Sequence, residues 1–127
     1  MTDEAKKIII IDDDFLVSDI YSLELQKAGF TTITANNGES GLSKIQVEKP
    51  DLILLDIVMP GLDGLQVLDK IRSKPEFSSV KILLLSNLKD ENTIKSGLAR
   101  GANGYLVKPA LTPQQIVAEV QKELQES

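Results

Sequence analysis

The chain has 127 residues, 42% of them apolar and 26% charged, a balance that implies one globular domain with a core of its own and excludes a disordered chain. It has neither cysteine nor histidine, which excludes disulfides, thiolate metal sites and imidazole chemistry; any reaction must run on carboxylates, hydroxyls, lysines and bound ions. The net charge of −5, with no basic cluster beyond two residues, argues against direct nucleic-acid binding, and no run approaches the ~20 apolar residues of a membrane span.

The polar opening MTDEAKK predicts no signal peptide and a cytoplasmic location. Ile8–Ile11 then predicts a buried strand that runs straight into Asp12, Asp13 and Asp14. Asp14 is placed to cap a helix whose expected inward stripe is Leu16, Ile20 and Leu23 and whose end is Gly29. Thr31–Ala35 is rich in β-formers. Asn37 caps a second helix with Leu42 and Ile45, ended by Lys49-Pro50. Leu52–Leu55 is a third strand. Asp63, a turn or cap residue, and Gly64 open a helix with Leu65, Leu68 and Ile71. Val80–Leu85 is a fourth strand, and Lys89–Arg100 a weaker helix, with Ile94 and Leu98 on one face and Gly97 against it. Gly104–Val107 is a fifth strand. Thr112-Pro113-Gln114-Gln115 is a capping box that starts a last helix with Ile116, Val120 and Leu124 in line. Phe15, Phe30 and Phe77 are expected as core or half-buried positions.

Five strand–helix units in succession predict a doubly wound α/β sandwich with a parallel sheet in the order 2-1-3-4-5. Residues 5–125 form the expected domain, with short tails at 1–4 and 126–127. Ligands of such sheets sit at the carboxyl ends of the strands. There the first strand delivers Asp12 and Asp13, the third Asp56, the fourth Ser86 and the fifth Lys108.

Three clustered carboxylates need a cation, and hard oxygen donors favour Mg2+. Asp12, Asp13 and Asp56 contribute −3, which Mg2+ and Lys108 neutralise. A neutralised, strand-fixed carboxylate can attack phosphorus to give an aspartyl phosphate. Asp56 lies centrally, which makes it the expected acceptor; Ser86 and Lys108 would hold the phosphoryl oxygens.

IIIIDDD, ILLDIVMPGLDG, LLLSN and GYLVKPA closely resemble, in order and at strand ends, the acidic pair, phosphoacceptor loop, hydroxyl segment and Lys-Pro segment of the receiver domain of bacterial two-component response regulators. The resemblance covers essentially the whole chain and implies the flavodoxin-like (βα)5 fold. It also implies that Asp56 is phosphorylated by a partner histidine kinase or phosphotransfer protein, and that the backbone carbonyl of Val58 joins Asp12, Asp13 and Asp56 on Mg2+. It further implies a switch in which Ser86 moves toward the phosphoryl group and Tyr105 fills the space, read by an effector protein on the surface of the fourth helix, fifth strand and fifth helix. A monomer or a weak homodimer through that surface follows from the same resemblance. Such a receiver phosphorylates itself without turnover on an external substrate, so it is not expected to be an enzyme.

Ser86 replaces the family's usual threonine, Asn87 its small neighbour, and Ala110 a large apolar residue. Val58 and Leu88 are apolar where the family can orient water, which predicts slow loss of the phosphoryl group. Two alternatives stand beside this reading. One is a Mg2+-dependent aspartate phosphatase or phosphotransferase, which would need an acid where Val58 stands. The other is a degenerate receiver that only binds.

Overall fold

Four consecutive isoleucines can be buried only where both faces of a strand are covered, and parallel sheets provide such positions. A computed structural model, which describes residues 5–86, 91–108 and 112–125, shows this arrangement. The strands are β1 (Lys7–Ile11), β2 (Thr31–Ala35), β3 (Leu52–Asp56), β4 (Lys81–Ser86) and β5 (Gly104–Val107). They form one parallel sheet in the order β2-β1-β3-β4-β5, as expected from the sequence. The helices are α1 (Phe15–Lys27), α2 (Gly38–Glu48), α3 (Gly64–Arg72), α4 (Glu91–Ala99) and α5 (Pro113–Gln125). A 3-10 turn at Pro75–Phe77, absent from the sequence reading, starts at a proline and buries Phe77.

Side-chain alternation divides the core. Ile9, Ile11, Ile53, Leu55, Ile82 and Leu84 face α2 and α3, where they meet Ile45, Val67, Leu68 and Ile71. Ile8, Ile10, Leu52, Leu54, Leu83, Leu85 and Leu106 face α1 and α5, where they meet Tyr21, Leu25, Ile116 and Val120.

The caps follow the sequence. Asp14 accepts from the amides of Leu16 and Val17, Asn37 from that of Ser40, and Asp63 forms a reciprocal capping box with Gln66. Thr112 and Gln115 do the same ahead of α5. Gly29 takes the positive φ of 99° that a helix exit requires.

Two stripes differ from expectation. In α1, Leu16, Ile20 and Leu23 are 74%, 49% and 53% exposed, and Phe15 is exposed as well; the buried residues are Ser18, Tyr21 and Leu25. The helix is apolar on two sides, so the pattern does not say which side meets the sheet. In α4, Leu98 is exposed, Ile94 is half-buried, and the buried residue is Gly97. A Cβ there would lie 2.3 Å from Leu84 Cδ1, so the glycine lets the helix approach β4 closely. The predicted start of this helix, Lys89 and Asp90, lies outside the described residues.

Candidate functional site

β3 runs one residue further than its apolar run, so Asp56 is itself a strand residue, 4% exposed, paired in register with Leu85. The Ile57 amide bonds to the Leu85 carbonyl at 3.0 Å, which ties the start of the following loop to β4. On the adjacent strand, Asp12 follows β1 and is fully buried, its amide bonded to the Ala35 carbonyl at 3.0 Å. Asp12 Oδ1 accepts from the Asp14 amide at 2.9 Å. Asp13, next in sequence, is exposed. One carboxylate oxygen from each of Asp12, Asp13 and Asp56 lies within 4.8 Å of the others.

Lys108 reaches over from the end of β5. Its Nζ donates to Asp56 Oδ2 at 3.2 Å and forms an ion pair with Asp12 Oδ2 at 2.9 Å. The latter contact lacks hydrogen-bond alignment, so Asp12 Oδ2 is a buried carboxylate oxygen without a hydrogen-bond partner. The single Lys108 ammonium offsets only part of the charge of three clustered carboxylates, and a further cation would balance the rest. The donor set, three hard carboxylates and no nitrogen or sulfur, fits Mg2+.

A family model described as response regulator receiver domain matches residues 8–121. This chain belongs to that family. The receiver is 37% identical over 123 residues to the alkaline phosphatase synthesis transcriptional regulatory protein PhoP of Bacillus subtilis, covering 96% of this chain and 50% of PhoP. It spans about half the length of the curated relatives it matches. Among solved structures, it resembles the chemotaxis protein CheY4 of Vibrio cholerae, with a TM-score of 0.89, 29% identity and coverage of 94% of this chain and 99% of that one. A two-component response regulator from Clostridium difficile matches with a TM-score of 0.88, 30% identity and coverage of 95% and 97%. Receiver domains are signalling switches that interact with histidine kinases and effectors.

The electrostatics of this receiver follow from burial and charge. Burial, then the neighbouring Asp12 charge, push the Asp56 carboxyl up to about 7; Lys108 and the Val58 amide, 3.3 Å from Asp56 Oδ1, pull the other way without prevailing. Burial acts to lower the Lys108 ammonium, but the paired carboxylates outweigh it and hold it above the ordinary lysine value.

The remaining expected residues fall at the same rim in different positions. Ser86 ends β4, is 1% exposed and pairs in register with Val107. Register and alternation put Ser86 and Tyr105 on the α2–α3 side of the sheet, diagonal to each other, because Leu84, the partner of Tyr105, faces that side. Tyr105 is 43% exposed, which removes it from the core. Val58 is half exposed in the loop after Asp56. Asn87, Leu88 and Ala110 lie outside the described residues.

Gly64 was expected to open α3 and to serve the backbone geometry of its loop. A Cβ on it would stand 2.3 Å from the Asp56 carbonyl oxygen and 2.6 Å from Ile57 Cα, so α3 can start against the acid's own backbone only because this position has no side chain. Tyr21 was not singled out from the sequence; it is buried in the α1–α5 layer, and burial raises its phenol above the ordinary tyrosine value. Its signal in the sequence was the set Val17, Tyr21 and Leu25, spaced by four, which competes with Leu16, Ile20 and Leu23.

Proposed function

We propose that this receiver takes a phosphoryl group onto Asp56 from a phosphohistidine of a partner kinase or phosphotransfer protein, within the cytoplasm, and passes the signal to an effector by protein contact. The observation that carries the reading is the Lys108 ammonium drawn to Asp56 and Asp12 inside a triad of carboxylates close enough to share one ion. Asp12, Asp13, Asp56 and the Val58 carbonyl would hold Mg2+, which supplies charge neutralisation for an incoming phosphoryl dianion.

The chain does the rest. Asp56 is fixed by β3 and by the Ile57–Leu85 hydrogen bond, so its carboxylate is oriented before the donor arrives. One of its oxygens forms the new P–O bond as the donor's P–N bond breaks. Lys108 shifts from the carboxylate to the phosphoryl oxygens, and the Ser86 hydroxyl donates to another of them. Ser86 and Tyr105 are diagonal neighbours on one face, which supports a coupled switch: the half-exposed tyrosine can turn inward when the serine leaves its place. The change is read on α4, β5 and α5, by an effector or by a weakly associated second copy. The exposed apolar stripe of α1 begins beside Asp13 and gives the donor a surface on which to dock within reach of Asp56. Val58 is apolar and offers no group to orient water, which supports slow loss of the phosphoryl group. Residues 5–125 are the unit that performs these steps.

Incubation with Mg2+ and acetyl phosphate, followed by intact mass, tests the reading. One added phosphoryl group is expected, abolished by Asp56→Asn and strongly reduced by Asp13→Ala or by a chelator. Retention of the label in Asp56→Asn would overturn the assignment.

A further inference from the structure

Arg72, the last residue of α3, is half-buried and spends its planar head on backbone and amide oxygens. Nε donates to the Gly101 carbonyl at 2.9 Å and Nη1 to the Phe77 carbonyl at 2.8 Å. Nη2 donates to the Val80 carbonyl at 2.8 Å and to Asn103 Oδ1 at 3.1 Å. These acceptors are all neutral, so the guanidinium serves here as a fork of donors that a lysine could not copy. Two of them precede β4, and the other two lie in the connection between α4 and β5. Asn103 carries the tie further. Its amide donates to the Ile82 carbonyl at 2.8 Å and its Oδ1 accepts from the Ile82 amide at 2.8 Å, so it joins β4 ahead of β5. The turn is closed as well: the amides of Gly101 and Ala102 bond to the carbonyls of Leu98 and Gly97 at 3.1 Å, with Gly101 at a φ of 107°. A Cβ on Gly101 would stand 3.1 Å from Arg72 Cγ and Nε, so the arginine arm lies directly against the turn. The neighbouring ion pair of Arg100 with Asp69, at 2.9 Å, is solvent-exposed and adds little.

Resting on the reading that Asp56 is phosphorylated and that α4, β5 and α5 carry the signal, we infer that Arg72 and Asn103 pin the α4–β5 connection to α3 and β4. This corner is then the fixed pivot of the switch. Asp56 and Ser86 end their strands, whereas the partners of Arg72 precede β4 and β5, so the pin lies at the opposite end of the sheet from the site. Sliding Gly101 or Asn103 away from Arg72 would strand N–H groups of a half-buried cation without acceptors. A helix held at one end can tilt but cannot slide along its axis. The change that follows phosphorylation is therefore confined to the parts of α4 and β5 nearer the site, and it reaches the output face as a tilt about Gly101.

Amide NMR spectra of the parent, with and without Mg2+ and beryllofluoride as a phosphoryl mimic, test this directly. The amides of Thr93–Ser96 and Tyr105 are expected to move on loading, while those of Gly101, Ala102 and Asn103 and the Arg72 Nε–H stay in place. Arg72→Lys keeps the charge and removes the fork. It should take phosphoryl groups from acetyl phosphate within about twofold of the parental rate, because the site is remote. Its unloaded Ala102 and Asn103 amides should exchange with solvent about 10-fold faster, and the shifts on loading should spread to Gly101–Asn103. Asn103→Ala, which leaves Arg72 in place, should show the same changes in weaker form and serves if Arg72→Lys does not fold. Equal movement of Gly101–Asn103 and Thr93–Ser96 in the parent overturns the inference, as does a still α4 in a parent that has bound the mimic. If the parent binds no mimic and takes no phosphoryl group, the Asp56 assignment falls instead; parental exchange at Ala102 and Asn103 in both variants then removes the pin.

Discussion

Asp56 is placed where its charge is least welcome. It sits at the end of a fully buried strand beside Asp12, and its carboxyl is pushed up to about 7 from the ordinary 3.8. A carboxyl raised in the folded state binds a proton that the unfolded chain has already released, so the fold loses stability as pH rises from about 4 to about 7 and then levels off. Asp56→Asn removes that loss but also removes a partner of Lys108, so the net gain is about 1–3 kcal/mol above pH 7, or about 3–10 °C in melting temperature. Thermal melts of parent and variant with metal chelated should therefore coincide near pH 4 and separate progressively toward pH 8, with the variant higher. Equal melting temperatures at pH 8 would mean that the acid is not strained. The sequence already pointed to this residue, because a lone aspartate directly after LILL has no solvent to escape into. It could not show that Asp12 rather than Asp13 is the buried member of the acidic pair; that depends on which face of β1 each continues, and so on packing.

At the scale of elements, the strands and their order were legible because a parallel sheet covered on both faces requires unbroken apolar runs, and the caps were legible because Asp14, Asn37, Asp63 and Thr112 act locally. The orientation of α1 was not, since Leu16–Ile20–Leu23 and Val17–Tyr21–Leu25 satisfy the same helical period and only the sheet decides between them. Close approaches were equally invisible: two glycines with similar sequence surroundings at helix positions face different obstacles. At Gly64 an added methyl meets the backbone of Asp56 and Ile57, which cannot yield without moving the acid. At Gly97 it meets the far end of Leu84, a side chain that can shift within a packed core at a cost of about 1–3 kcal/mol, partly offset by the ~1 kcal/mol helix preference of alanine over glycine. Gly97→Ala is thus expected to change stability by no more than about 2 kcal/mol in denaturant titration, whereas Gly64→Ala should cost more than about 3 kcal/mol and slow phosphoryl uptake as well. The reverse ranking would show that α4, not the loop after β3, is the tighter contact.

For the molecule as a whole, the site is a concentration of negative charge in a chain whose net charge is already −5, gathered from β1 and β3 and answered at short range by Lys108. Three carboxylates against one ammonium leave an excess that β-strand rigidity prevents from relaxing, although Lys108 ion-pairs with both Asp12 and Asp56. A cation that binds this arrangement and not the unfolded chain stabilises the fold by about 2.7 kcal/mol at a hundredfold excess over its dissociation constant. Mg2+ should accordingly raise the melting temperature of the parent at neutral pH by about 5–10 °C. Sodium chloride at matched ionic strength should do far less, because screening acts weakly on groups buried this close together. Asp13→Asn, which removes an exposed ligand at little cost to packing, should melt with the parent without metal but lose most of the Mg2+ increment. In Asp56→Asn the two effects oppose each other: it starts higher without metal and gains less with it, so the curves of melting temperature against Mg2+ for parent and variant should converge or cross. Parallel curves would mean that the ion binds elsewhere and that the triad does not act as its seat.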